Sequence, residues 1–323
     1  MTYDRDGVLV PFDFADILHE LPTLKNLALE ITAFSFVNPI DSSNIDIDHW
    51  QLIGKIIFDQ YEHQDGFVVL HGTDTMAYTS SALSFMLDGL QKPVVFTGAQ
   101  LPISEARSDA REHLITALDI ASARKDGFAL VPEVCIYFDY ELLRGNRSKK
   151  VESMQFDAFD SGNYPPLAKA GVKIDYNFSV IRSPSSPGLK LRSKFETNIA
   201  ILKLFPGIDI NVVKAVLGVP GLKAVVLETY GSGNAPTLGW LLEELKKAIE
   251  RGIIILNISQ CPGGRVTQGR YETSKWLQQI GVISGADMTM EAAITKLMLL
   301  IGELGIERAK ELIGMPLAGE LTA

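Results

Sequence analysis

The chain has 323 residues, of which 46% are hydrophobic and 21% charged, and it carries a net charge of -9. This length exceeds the usual size of a single hydrophobic core, so we expect two domains. The acidic balance provides no basic surface for nucleic acid or anionic lipid, and no segment approaches the ~18 apolar residues that cross a membrane. We therefore expect a protein that acts on a small molecule or binds another protein, with no nucleic-acid or membrane partner.

Cysteine and histidine usage argues against a metal centre. The two cysteines, Cys135 and Cys261, lie beside strand-like runs in a chain too large to need disulfides. The five histidines are scattered and lack the paired spacing of metal ligands. We predict neither a metal site nor a cofactor. The first six residues are polar and acidic, so no secretory signal is predicted either.

The first elements in chain order are a helix, a strand and a second helix. Apolar spacing predicts a helix over 14–21, and alternation predicts a strand over 27–36. A loop rich in small polar residues follows and contains residues 41–43. Apolar residues at helical spacing then predict a helix over 48–61. An α/β domain usually begins with a central strand, and none precedes the first helix.

A regular alternation of strands and helices begins at Gly66. The apolar run 67–70 predicts a buried strand, which enters the turn His71-Gly72-Thr73-Asp74-Thr75. Such alternation indicates parallel β-α-β units, whose ligands gather in the loops after the carboxyl ends of the strands. The run Leu143–Lys150 brings four positive charges to the same edge. The predicted elements between these two segments are helix 75–87, strand 93–96, loop 97–102, helix 108–124 and strand 134–138.

The second half of the chain repeats this pattern after a segment rich in proline and serine at 162–195. We therefore predict an α/β domain over 1–180, a linker over 181–195 and a smaller α/β domain over 196–323. The elements predicted in the smaller domain are strands at 199–204, 224–227 and 253–258 and helices at 209–217, 238–251, 273–279 and 290–304.

Three segments are candidates for chemistry, and each has an ordinary structural alternative. Thr73 and Asp74 stand where a helix needs an N-cap, and where its unpaired N–H groups also attract polar ligands. The 41–43 loop either caps a helix or recognises the ammonium and carboxylate groups of an amino acid. The Leu143–Lys150 run either forms a solvated charged loop or presents a lysine as a base.

Five sequence motifs, in this order, resemble those of one family. The chain is similar to the type I, cytoplasmic branch of the bacterial L-asparaginases, within the asparaginase/glutaminase family. The resemblance covers nearly the whole chain. It is carried by the following motifs: Gly66-Phe67-Val68-Val69-Leu70-His71-Gly72-Thr73-Asp74-Thr75-Met76-Ala77-Tyr78-Thr79, Thr97-Gly98-Ala99-Gln100, Leu143-Arg144-Gly145-Asn146-Arg147, Tyr230-Gly231-Ser232-Gly233-Asn234-Ala235-Pro236 and Gly285-Ala286-Asp287-Met288-Thr289.

The resemblance implies an architecture and an assembly. It implies a larger N-terminal domain with a flavodoxin-like parallel sheet and a smaller C-terminal α/β domain. It also implies a homodimer or homotetramer in the cytoplasm, with L-asparagine as the small-molecule substrate. In the family the active site lies between the N-terminal domain of one subunit and the C-terminal domain of a neighbour.

The reaction that the resemblance implies is hydrolysis of L-asparagine to L-aspartate and ammonia through a threonine acyl-enzyme. By position, Thr73 and Asp74 match the Thr-Asp pair of the second catalytic cluster, and Lys150 matches the catalytic lysine. A threonine hydroxyl is a weak nucleophile that needs a base. This suits Thr73 as nucleophile or water activator, Lys150 as proton acceptor and Asp74 as orienting carboxylate. The loop that binds the amino-acid head of the substrate matches Asp41, Ser42 and Ser43.

The sequence departs from the family in two places. Family members open with a strand and a Thr-Gly-Gly-Thr-Ile segment that supplies the primary nucleophile, and we expect the sequence numbered from Met1 to lack both. Lys149 and Glu228 stand where some members use a threonine and an arginine to bind allosteric asparagine, so we expect no such activation. Two alternatives stay open: a noncatalytic amino-acid-binding protein, or the asparaginase subunit of a tRNA amidotransferase.

Overall fold

The computed structural model describes residues 2–3, 9–10, 24, 27–36, 38–183, 188–269 and 272–322. Two compact units divide the chain. The first comprises Met1–Ser161 and Pro165–Leu191, and the second comprises Gly162–Tyr164 and Arg192–Ala323. The helix predicted over 14–21 lies outside the described residues. The boundaries predicted from the sequence, which place a linker at 181–195, stay a prediction.

The first unit is built from short strands and three helices in the part of the chain that is described. The helices are α1 (Ile47–Gln60), α2 (Met76–Met86) and α3 (Ala110–Ser122). The strands are β1 (Thr2–Tyr3), β2 (Leu9–Val10), β3 (Phe67–Leu70), β4 (Leu87–Asp88), β5 (Val94–Thr97), β6 (Arg124–Lys125), β7 (Phe128–Ala129), β8 (Val134–Phe138), β9 (Glu141–Arg144), β10 (Lys149–Lys150), β11 (Phe159–Asp160), β12 (Ala168–Ala170), β13 (Ile174–Tyr176) and β14 (Lys190–Leu191).

Six of these strands form the main sheet, in the order β13-β12-β9-β8-β5-β3. Strands β3, β5 and β8 are parallel, as the alternation of strands and helices predicts. The other three strands pair antiparallel: β9 with β8, β12 with β9, and β13 with β12. The strand predicted over 27–36 is wrong. That segment has no regular structure, its apolar residues are largely exposed, and no described strand pairs with it.

The helices of the first unit begin and pack as their sequences dictate. Asp46 caps α1 and forms a reciprocal capping box with His49, and the helix buries Trp50 and Ile53. Helix α2 is buried along nearly its whole length and is rich in alanine and serine. Small side chains allow other backbone segments to approach it closely, as Gly145 does beside Ser80.

The second unit contains a four-stranded parallel sheet in the order β15-β16-β17-β18. This confirms a separate, smaller α/β domain after the first. Helices α4 and α5 bury Val213, Leu217, Leu241 and Leu245 in one apolar cluster, whereas α7 packs in another. The elements are β15 (Ile199–Lys203), α4 (Ile210–Leu217), β16 (Ala224–Thr229), α5 (Gly239–Glu250), β17 (Ile254–Ser259), α6 (Glu272–Gln279), β18 (Ile283–Ser284) and α7 (Met290–Leu312).

Helix α7 is longer than predicted and is interrupted at Gly305, whose φ of 75° is not helical. Its Lys296 is fully buried and pairs with the equally buried Glu320 at 2.5 Å. Lys296 also donates to the carbonyl oxygens of Ile313 and Met315. This pair holds the segment after α7 against the helix. Across the described residues, none of the helices is long and apolar enough to span a membrane.

Candidate active site

Three side chains that are far apart in sequence meet at the carboxyl end of β3. Residues 71–75 connect β3 to α2, and Lys150 lies on β10, which pairs with β11. The Lys150 Nζ amino group donates to Thr73 Oγ1 at 2.7 Å and to Asp74 Oδ1 at 2.7 Å. The Lys150 side chain is only 19% exposed, while Asp74 is 63% exposed. One amino group therefore bridges a hydroxyl and a carboxylate at the edge of the sheet.

A fourth side chain, Gln100, adjoins this cluster from the loop after β5. The Thr73 hydroxyl donates to Gln100 Oε1 at 3.3 Å, and Gln100 Nε2 donates to the carbonyl oxygen of Gln155 at 2.9 Å. The backbone N–H of Gln100 donates to Asp109 just before α3. Gln100 lies in one of the five sequence motifs, but the sequence alone predicts no role for its side chain. The available signal was its position after the neighbouring parallel strand.

A chain of hydrogen bonds fixes the turn before Thr73. Trp50 Nε1 donates to Thr79 Oγ1 at 3.1 Å, Thr79 contacts His71 Nε2 at 2.9 Å, and His71 Nδ1 lies 2.6 Å from the Gly72 carbonyl oxygen. Because a carbonyl only accepts, Nδ1 carries the proton and Nε2 accepts from Thr79. Burial lowers the pKa of His71, which favours this neutral ring. The imidazole thereby sets the plane of the Gly72–Thr73 peptide.

Ser42 of the predicted substrate loop contacts the turn that carries Thr73. Ser42 is buried, and its carbonyl oxygen accepts from Thr75 Oγ1 at 2.7 Å. A Cβ atom at Gly72 would lie only 2.5 Å from Ser42 Oγ, so glycine is needed for the two segments to touch.

Asp41 and Ser43, the other two members of this loop, are exposed and bind each other. Asp41 Oδ1 accepts from both the backbone N–H and the hydroxyl of Ser43, each at 2.8 Å. These hydrogen bonds lower the pKa of Asp41, with the backbone donor contributing most. Asp41 caps the short 3-10 helix Ser42–Asn44, so the capping alternative is realised, and the carboxylate stays ionised and exposed at the same time.

The Leu143–Lys150 run is not the solvated charged loop that its composition suggests. Arg144 lies on β9, is only 3% exposed, and pairs with buried Glu133 through Nε at 2.6 Å. A second contact joins Arg144 Nη2 to Glu133 Oε1 at 3.1 Å. The chain then passes against α2, where Ser80 donates to the Gly145 carbonyl oxygen at 3.1 Å. The motif is therefore a buried structural segment that carries Lys150 to the site.

The glycine-rich motif of the second unit forms a tight turn after β16. Tyr230 pairs with Asn234 across the turn, and Gly231 and Gly233 have φ values of 48° and 101°. These left-handed conformations favour glycine. Thr229 at the end of β16 donates to Asn257 on β17 at 2.7 Å. In the described part of the chain, no group of three or more histidine, cysteine, aspartate or glutamate side chains is placed to hold a metal ion.

Comparison with known proteins identifies the family. The Asparaginase, N-terminal model matches residues 1–182, and the Glutaminase/Asparaginase C-terminal domain model matches residues 198–311. The chain belongs to the asparaginase family. This confirms the resemblance drawn from the motifs.

Several relatives are similar over most of this chain. It is 42% identical to L-asparaginase 1 of Escherichia coli (strain K12) over 295 residues, which is 91% of this chain and 85% of that protein. It is 44% identical to the 60 kDa lysophospholipase of Homo sapiens over 304 residues, which is 93% of this chain and 52% of that protein. The chain spans about half the length of some of the curated relatives it matches.

A solved structure extends the likeness to the fold. L-asparaginase I from Vibrio cholerae O1 biovar eltor matches with a TM-score of 0.89 and 38% sequence identity, covering 100% of this chain and 95% of that one. A TM-score of this size supports the assignment of two α/β domains made above.

Proposed function

We propose that this protein hydrolyses L-asparagine to L-aspartate and ammonia, as an amidohydrolase without a cofactor. The observation that carries the proposal is the Lys150 side chain, which contacts both Thr73 Oγ1 and Asp74 Oδ1 at 2.7 Å. A hydroxyl in contact with an amine, which is held by a carboxylate, is one arrangement that supports nucleophilic amide hydrolysis. The E. coli relative bears the name L-asparaginase 1.

In the proposed reaction, an oxygen nucleophile attacks the side-chain carbonyl carbon of asparagine. Thr73 is either that nucleophile or the group that activates a water molecule. The Lys150 amine accepts the proton that the nucleophile releases and returns a proton to the departing nitrogen, so ammonia leaves. Asp74 holds the Lys150 amine against Thr73 Oγ1 throughout. If Thr73 is the nucleophile, a water molecule then hydrolyses the acyl-enzyme and restores the hydroxyl.

The proposed recognition of the substrate uses the 41–43 loop. The exposed and ionised Asp41 carboxylate suits an α-ammonium group. The hydroxyl group of Ser42 suits an α-carboxylate, and that of Ser43 does so when it turns away from Asp41 Oδ1. The contact between Ser42 and Gly72 supports this assignment, because it joins the loop to the turn that carries Thr73. A cytoplasmic location and a homodimer or homotetramer remain predictions drawn from the resemblance.

The names of the relatives point to two different substrates. The human relative is a lysophospholipase, but the match covers only 52% of it, so its activity is not assigned to the shared part. The E. coli L-asparaginase is matched over 85% of its length, which supports asparagine as the substrate. A glutamyl-tRNA(Gln) amidotransferase component of Methanopyrus kandleri is less similar, at 32% identity, and the amidotransferase alternative is not favoured.

Ammonia release from L-asparagine by the purified chain tests the proposal. We expect Thr73→Ala and Lys150→Met each to lower kcat at least about 100-fold, the contribution typical of a positioned acid–base group. Lys149→Met is the matched control, because successive residues of a strand point to opposite faces, and it should retain activity. Full activity in Thr73→Ala would contradict the relay. Asparagine binding without ammonia release by the parent chain would support the noncatalytic alternative.

A further inference from the structure

The side-chain amide of Gln100 is held in one orientation. Its Nε2 group donates to the carbonyl oxygen of Gln155 at 2.9 Å, which leaves Oε1 facing the Thr73 hydroxyl at 3.3 Å. If the side-chain amide were rotated by half a turn, Oε1 would face the Gln155 carbonyl oxygen, and two acceptors repel each other. Gln100 therefore presents an acceptor, and not a donor, beside Thr73.

The backbone of Gln100 is equally well fixed. Its N–H group donates to Asp109 Oδ2 at 2.9 Å, and the N–H of Leu101 donates to Asp109 Oδ1 at 3.1 Å. On the other side of the same loop, Gly98 lies so close to the turn after β3 that an added Cβ would approach the His71 carbonyl oxygen to 2.3 Å. Both ends of the loop are thus anchored, and the position of Gln100 Oε1 relative to Thr73 is set by the fold.

The hydrogen bonds of Thr73 show what this acceptor faces. Thr73 Oγ1 accepts from Lys150 and donates to Gln100 Oε1. A substrate carbonyl group positioned for attack by Thr73 Oγ1 would carry its leaving group close to the same acceptor, which lies 3.3 Å from Oγ1. A primary amide offers two N–H donors there, whereas an ester or a carboxylate offers only oxygen atoms.

We propose that Gln100 determines the specificity of this site for a primary carboxamide. Its Oε1 atom accepts a hydrogen bond from the NH₂ group of the substrate. This favours asparagine over the corresponding β-ester and over the product aspartate, whose carboxylate oxygen faces an acceptor. The inference rests on the proposed function and adds the residue that distinguishes the amide from its ester and its acid.

The test compares two substrates that differ in the leaving group alone, L-asparagine and the β-methyl ester of L-aspartate. Gln100→Met keeps the length of the side chain and removes the acceptor. We expect kcat/KM for asparagine to fall about 3- to 10-fold, the effect of one neutral hydrogen bond, with kcat/KM for the ester nearly unchanged. Inhibition by L-aspartate should become stronger in the same variant.

Gln155→Ala is the matched control, because Gln155 contributes only its backbone carbonyl oxygen, and both substrates should react at parental rates. An equal loss for amide and ester in Gln100→Met would overturn the inference and reduce Gln100 to a structural residue. Parental kcat/KM values for both substrates in Gln100→Met would overturn the inference as well. A parent chain that releases no ammonia from asparagine would instead refute the proposed function, so the two failures are distinguishable.

Discussion

The buried pair of Arg144 and Glu133 gives the sharpest prediction about stability. Glu133 is 4% exposed, and its carboxylate accepts from Arg144 through two nitrogen atoms and from the backbone N–H of Arg182 at 2.6 Å. Arg144→Met removes the guanidinium group and leaves a buried carboxylate with one charge partner fewer. Removal of one partner from a buried ion pair typically costs about 3–5 kcal/mol.

The expected loss is large enough to measure by calorimetry. For a unit of this size each kcal/mol moves the midpoint of thermal unfolding by about 2–4 °C, so Arg144→Met should lower it by roughly 6–20 °C. The matched control is Arg124→Met. Arg124 pairs with Asp65 at 2.7 Å, but that carboxylate is 83% exposed, and exposed pairs contribute about 0–1 kcal/mol.

The comparison also tests the view that Arg144 is structural. Equal shifts in the two variants would refute the reasoning that burial sets the cost. A loss of activity in Arg144→Met without loss of stability would refute it in another way, by indicating a direct role in binding. We expect stability and activity to decline together, because β9 leads through Gly145 to Lys150.

Two further predictions concern the loops around the site. Gly98→Ala should lower kcat/KM for asparagine about tenfold or more, because its Cβ would approach the His71 carbonyl oxygen to 2.3 Å. Gly239→Ala is the control and should keep its activity, because a Cβ atom there has no neighbouring atom within 4 Å, and equal activity in both variants would contradict the prediction. Hydrogen bonds from Ser43 lower the pKa of Asp41, so its carboxylate should stay charged to low pH. If this carboxylate binds the ammonium group, asparagine binding should be lost as the pH falls through the folded-state pKa of Asp41. Ser43→Ala keeps the backbone donor, which contributes most, and removes only the hydroxyl donor, so it should move this loss modestly to higher pH. A pH series of asparagine dissociation constants would detect the shift, and an unmoved profile would argue against Asp41 as the ammonium site.

Much of the fold could be predicted because its periodicity is strong. The parallel strands β3, β5 and β8 and the sheet of the second unit follow from apolar runs that alternate with helical spacing. Strand β9 is not predicted from the sequence, because its terminal residues, Glu141 and Arg144, are charged and are typical of a loop. The partner that makes Arg144 suitable for burial is Glu133 on another segment, which local sequence does not indicate.

The site was only partly predictable, for a related reason. Thr73 and Asp74 lie in a motif that carries the resemblance, and Lys150 follows another such motif by three residues. The structure brings their side chains into contact. The sequence predicts no role for Gln100 or His71, because each side chain is oriented by a backbone carbonyl oxygen: that of Gln155 for Gln100 and that of Gly72 for His71. Backbone acceptors have no sequence signature, so the orientation of a side chain that they hold emerges only from the fold.

The groups proposed to react and the groups that hold them differ in their exposure. Thr73, Lys150 and Gln100 are partly accessible, whereas Arg144 and Thr79 are buried and bind other protein groups. A substitution of the first kind removes an interaction with substrate and leaves packing intact. A substitution of the second kind leaves a buried polar partner unsatisfied, which costs stability before any effect on chemistry. The ratio of lost activity to lost stability therefore separates the two classes, variant by variant.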